Sequence, residues 1–137
     1  MAISEPYKGK CLDYLYGYAG ISMAKTNAAL DLKDPALRNE VTRLVPNSMI
    51  ILESRADLKK IENVNLTGEI IHCTGKSKPI SFLRHLRNAI AHGYLKEDGN
   101  YFVLEDWDDE KKTNLTAKGR FAQKRIEDVL DLLIPFA

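Results

Sequence analysis

A chain of 137 residues with 45% hydrophobic and 28% charged side chains has the make-up of one globular domain, long enough to bury a core without disulfide staples. Its formal net charge of +1 excludes a duplex binder held by bulk positive charge, so any nucleic-acid contact has to be local. Cys11 and Cys73 form no metal-ligand spacing, and there is neither a basic-then-apolar leader nor an apolar run approaching about 18 residues, so we expect a cytoplasmic protein with free thiols and no membrane contact.

Residues 1 to 8 hold Pro6 and little periodicity, and read as a tail that settles onto the body near Tyr7. From Lys10 to about Leu30 the pattern is helical, with Leu12, Leu15, Ala19, Ser22 and Met23 on one side and Tyr14, Tyr18 and Ile21 on the next. Gly17 and Gly20 each cost about 1 kcal/mol of helix propensity, tolerable where another helix packs closely. Tyr7, Tyr14, Tyr16 and Tyr18 read as core and rim, with a base-stacking platform as the alternative.

Asp34-Pro35 is a helix start signal, and the segment runs through Leu37, Val41, Leu44 and Val45 until Pro46 ends or kinks it. Asn47 or Ser48 then caps a second helix through Met49, Ile50, Ile51, Leu52, Ala56, Leu58 and Ile61, apolar enough to be central. Residues 62–79 read as a loop around a short helical or extended piece from Glu69 to Cys73. Two local patterns there are set aside. His72 beside Cys73 has no partner at ligand spacing, and Gly75-Lys76-Ser77 has the tail of a phosphate-binding loop without its leading glycine or a preceding strand.

The stretch Ser81 to Leu95, SFLRHLRNAIAHGYL, concentrates the reactive side chains. Pro79 before it and Gly93 after it punctuate a helix. On a wheel of about 100° per residue, Phe82, Leu83, Leu86, Ala89 and Ile90 fall within an arc roughly 120° wide, a face turned to a core. The rest of the wheel carries Arg87, Ala91, Arg84, Asn88, His92 and His85 and no acid, a face suited to an anion. Arg87 and His92 stand roughly 140° apart on an ideal helix, so both grip one phosphate only when two copies face each other about a two-fold axis. The competing reading of the pair is structural, a tie between this helix and its neighbours.

Beyond it, Lys96 to Asn100 is a turn cluster, and Tyr101-Phe102-Val103-Leu104 with Lys112 to Leu115 make a small β-hairpin. The acidic run Glu105 to Glu110 between them reads as a solvated turn, with a cation site or a contact to a partner's basic arc as alternatives. From about Thr116 to Ile134 a last helix buries Phe121, Ala122, Ile126, Val129, Leu130 and Leu133, and Pro135 stops it. The expected fold is therefore mainly all-α: one domain over 1–137, a bundle of four to five helices, with a hairpin inserted at about 100–115 before the C-terminal helix.

Arg87-Asn88-Ala89-Ile90-Ala91-His92 resembles the Arg-x4-His signature of the HEPN domain superfamily, and Gly93-Tyr94 extends it to the Arg-x4-His-x-Tyr form of HEPN toxins. The resemblance implies a helical bundle that pairs as a homodimer through the motif helix, and a metal-independent, cofactor-free endoribonuclease cutting single-stranded RNA to a 2′,3′-cyclic phosphate, as a toxin or phage-defence effector. It gives Arg87 the stabilisation of charge, His92 the proton transfer and Asn88 the orientation of the site. Arg84 and His85 carry no family role; they help to bind RNA or are ordinary exposed side chains. Tyr94 matches the tyrosine that a partner nucleotidyltransferase modifies with AMP in some of these toxins, so an antitoxin or such an enzyme is an implied partner. The alternative function is a non-catalytic HEPN nucleotide- or RNA-binding module.

Overall fold

The computed structural model describes residues 7–14, 35–108, 111 and 113–134, and its centre is a five-stranded mixed sheet. In chain order the described elements are α1 (Tyr7–Tyr14), α2 (Pro35–Leu44), a 3-10 turn (Asn47–Met49), β1 (Ile50–Leu52), α3 (Arg55–Lys59), β2 (Ile70–Cys73), α4 (Lys78–His92), β3 (Leu95–Asp98), β4 (Tyr101–Trp107), β5 (Leu115–Ala122) and α5 (Gln123–Leu133). The strands lie in the order β1-β2-β5-β4-β3, with β1 parallel to β2 and every other pair antiparallel. This overturns the all-α expectation: the protein is an α/β fold.

Three misread segments account for the difference. Met49 to Leu52 is a short apolar run that fits a buried helix or a buried strand equally well by period, and the β-branched pair Ile50-Ile51 goes to the strand. Leu115–Ala122, of which Thr116 onward is expected to begin the last helix, is instead the central strand, paired on both sides. Five consecutive buried residues, Leu115 to Gly119, follow from its being covered on both faces, which erases the alternation by which a strand is recognised. Lys118 looked like a solvent-facing helix residue, yet its ammonium is buried, donating to the carbonyls of Ile61, Glu62 and Val64 just after α3. Finally, Lys96 to Asp98 belongs to a strand, not to the turn, and the hairpin partner of Tyr101 to Leu104 is Leu95–Asp98 rather than Lys112 to Leu115.

Other expectations hold. The piece around Glu69 to Cys73, expected as helical or extended, takes the extended form as β2 of the sheet rather than as part of a loop, and the helix started by Pro35 ends at Leu44 before Pro46. A helix already begins at Tyr7, where a tail was expected. The helix foreseen from Lys10 to Leu30 lies beyond Tyr14 outside the described residues, as do Tyr16, Tyr18 and Pro135.

The core forms where α4 and α5 lie on the sheet. Phe82 of α4 meets Phe121 of β5 edge-on at 5.2 Å, and Tyr7 of α1 meets Phe102 of β4 at 5.3 Å. The five apolar residues assigned to the inner face of α4 are all buried there. Register decides what shares that face: Cys73 pairs with Ala117, and Ala117 with Asp106, so an aspartate stands in a row of core positions beneath α4.

Candidate functional site

Helix α4 is bounded as its sequence requires. Pro79 occupies its first turn, and Gly93 leaves it at φ 77° while the Tyr94 N–H returns to the Ala89 carbonyl at 2.8 Å, a left-handed cap. Arg84, Asn88 and His92 are spaced four residues apart and form one row along its polar side, about 12 Å from end to end at 1.5 Å per residue. All three line a cavity of about 370 Å³, whose opposite wall includes Thr74, Asp106 and Trp107. An irregularity in the sheet shapes that wall. Asp106 pairs with Ala117 but Trp107 with Leu115, which leaves Thr116 as the extra residue of a bulge, its hydroxyl donating to the Asp106 carbonyl at 3.0 Å.

The helix face that carries no acid of its own receives one from β4. Asp106, 3% exposed, accepts through Oδ2 from His85 Nδ1 at 2.7 Å and from Asn88 Nδ2 at 3.1 Å. His85, 2% exposed, also donates through Nε2 to the Thr74 carbonyl at 2.8 Å, so a further proton lies between its Nδ1 and the carboxylate. With its amide nitrogen committed to Asp106, Asn88 turns its oxygen outward, and Arg87 Nη1 donates to it at 3.1 Å. The result is a continuous hydrogen-bonded chain, Thr74, His85, Asp106, Asn88, Arg87, that runs from the end of β2 to the first residue of the sequence motif. Such buried polar groups are tolerated because each finds a partner.

The sequence-predicted residues are therefore brought together in part. Asn88, His92, Arg84 and His85 share the cavity. Arg87 is not among its lining residues; it stands half-buried to one side, joined to the site through Asn88. His92 is exposed at the rim, its ring 6.4 Å from that of half-buried Tyr94. His85, expected on the exposed arc either to help bind RNA or as an ordinary surface side chain, is instead buried within the chain of bonds. Asp106 and Trp107 were placed in a solvated acidic turn and instead end strand β4; the alternation Phe102, Leu104, Asp106 is the signal that marks the aspartate as inward-facing. Asp108 does behave as a surface acid, 2.8 Å from Arg55 at the cavity edge.

Electrostatically, Asp106 meets His85 and Asp108 meets Arg55, while among the described residues half-buried Arg84 has a single long hydrogen bond, Nη2 to the Thr74 carbonyl at 3.4 Å. The unmatched positive character of the cavity thus sits at Arg84 and, when protonated, His92, the two ends of the row.

Elsewhere, the Gly75-Lys76-Ser77 segment does follow a strand, β2, and precedes α4, against the reading made from sequence. Its leading glycine position is Ile70, so the loop is too short to cradle a phosphate chain. Gly75 has a packing reason: at φ 146° a Cβ there would stand 1.9 Å from Ser81 Oγ. His72 hydrogen-bonds Glu53 at 3.2 Å rather than a metal-ligating set with Cys73. Burial pushes the Cys11 thiol up to about 11 and the Cys73 thiol to about 12, so neither is a nucleophile near neutral pH. Among the described residues no helix is long and apolar enough to cross a membrane. Compared with known proteins, the chain matches no family model, no curated protein and no solved structure.

Proposed function

We propose that the protein is a metal-independent endoribonuclease that carries an Arg-x4-His motif resembling that of HEPN nucleases on an α/β fold rather than on their helical bundle, cleaving single-stranded RNA at a site completed by a second copy of the chain. One observation carries the reading: on one helix, an exposed His92 stands in row with an Asn88 whose amide is held by a buried carboxylate so that its oxygen meets the guanidinium of Arg87. Transesterification of RNA needs a base for the ribose 2′-hydroxyl, an acid for the departing 5′-oxygen and positive charge on the phosphoryl oxygens. The 2′-oxygen to phosphorus bond forms as the phosphorus to 5′-oxygen bond breaks, leaving a 2′,3′-cyclic phosphate and a 5′-hydroxyl. Histidine fills either proton role near neutral pH, and arginine's planar fork suits the phosphate. Ala91, small and exposed beside His92, leaves room for the twin helix, whose Arg87 approaches the His92 of the first.

In this reading the protein is a cytoplasmic toxin or phage-defence effector, and a nucleotidyltransferase that places AMP on Tyr94 is a partner able to silence it by adding charge and bulk next to His92. The test is incubation of the full chain with single-stranded RNA in EDTA. Cleavage by the wild type, lost in His92→Ala and Arg87→Ala, is expected; equal cleavage by either variant, or none by the wild type as a dimer, overturns the assignment.

A further inference from the structure

The row of α4 is longer than the chemistry needs. Proton transfer and charge stabilisation occupy Arg87, Asn88 and His92, yet Arg84 lies two helical turns before His92 on the same row, about 12 Å away, and the cavity extends between them. The space between is about 370 Å³, at the low end of the roughly 300–1,000 Å³ found for small-ligand pockets. It has room for one nucleotide and not for a folded RNA element.

Its wall supplies what a base looks for. Trp107 is the single tryptophan of the chain and lines the cavity. Every nucleobase has a π-face that an aromatic ring such as this indole can pack against. Among the described residues Arg84 is half-buried with no carboxylate against it, its one hydrogen bond being the 3.4 Å contact to the Thr74 carbonyl, which leaves it able to take an anion.

We propose that this cavity is a subsite for one unpaired nucleotide of the substrate, its base against Trp107 and its phosphate on Arg84, while the strand continues toward His92 at the rim. The assignment of the ligand as RNA rests on the nuclease reading, but occupancy of the subsite is measurable without any cleavage, because the tryptophan reports it. The full-length protein is titrated with AMP, GMP, CMP and UMP, with the matching nucleosides, and with inorganic phosphate, while tryptophan emission is followed. At least one monophosphate should give a saturable change, its nucleoside should bind about tenfold more weakly, and Arg84→Ala should weaken the monophosphate by a similar factor, as loss of one charge-assisted contact implies. Arg84→Lys, which keeps the charge, should recover part of that loss and guards against a folding defect in the alanine variant.

Emission unmoved by all four monophosphates at millimolar concentration overturns the subsite. So does a change that inorganic phosphate alone reproduces, or one that Arg84→Ala leaves intact. A silent tryptophan in a protein that cuts RNA through His92 removes the subsite and leaves the nuclease; a responding tryptophan in a protein that cuts nothing keeps the subsite and removes the nuclease.

Discussion

Asp106 shows how much one residue organises here. Its carboxylate is the only acid hydrogen-bonded to the motif helix among the contacts described, and it holds two side chains of that helix at once. Removing a buried acceptor leaves each donor aimed at it unsatisfied, at a typical cost of about 1–3 kcal/mol apiece. Asp106→Ala, which strips the acceptor from His85 and Asn88, should therefore lower the urea unfolding free energy by about 2–6 kcal/mol, and it should also release the Asn88 amide. A variant that unfolds like the wild type would show that the chain of bonds from Thr74 to Arg87 contributes little. The two thiols give a prediction of opposite character. Both ionise well above their ordinary value of 9.0 because they are buried, so the folded state keeps its protons where the unfolded state has lost them. Stability contributed by the thiols is complete below about pH 9 and falls as the pH rises toward 11. A colorimetric thiol reagent near neutral pH should find neither cysteine in the native protein and both after denaturation.

At the level of elements, the docking of α5 is the part most open to test. Glu69, just before β2, takes two hydrogen bonds from Arg125 of α5, Nε at 2.5 Å and Nη2 at 3.1 Å, and one from the Ala122 N–H at the helix start. Arg125 also donates to the Leu44 carbonyl at the end of α2, so one guanidinium joins three elements. The hydrogen bonds from Arg125, aided by the Ala122 N–H and opposed by partial burial, hold the Glu69 carboxyl below its ordinary value of 4.5. A lowered carboxyl stabilises the fold above that value and ceases to do so as the pH falls through its folded value. Acid unfolding followed by circular dichroism should thus be less steep in Glu69→Gln, with the difference confined to pH below about 4.5. The turn into α4 carries a steric prediction: Gly75→Ala places a methyl where Ser81 already stands and asks for a positive φ, so it should lose roughly 1–3 kcal/mol in thermal or urea unfolding.

For the molecule as a whole, the proposal that two copies complete the site has a direct consequence. If Arg87 of one copy serves the His92 of the other, a heterodimer of Arg87→Ala and His92→Ala chains holds one cleft with both residues intact. Mixing and re-equilibrating the two inactive proteins should restore about a quarter of wild-type cleavage, since about half of the random dimers are mixed and each has one live cleft. Activity that stays at the level of the separate variants would place both residues in a single chain's site, or in none.

The ends of α4, its buried face and its cationic row were readable from local chemistry: Pro79, Gly93 and the spacing of Phe82, Leu83, Leu86, Ala89 and Ile90 act within a few residues of one another, where propensity and period are reliable guides. Pro35 and Pro46 likewise delimited α2. The sheet was not readable in the same way, because Ile50 to Leu52 is too short for its period to separate strand from helix, and Leu115 to Gly119 is buried on both faces. The fate of His85 and Asp106 was decided by tertiary structure alone. Twenty-one positions separate them in the chain, and only the register of β4 on β5, with α4 laid across that face, turns an aspartate from an apparently solvated acidic run into the buried anchor of the site.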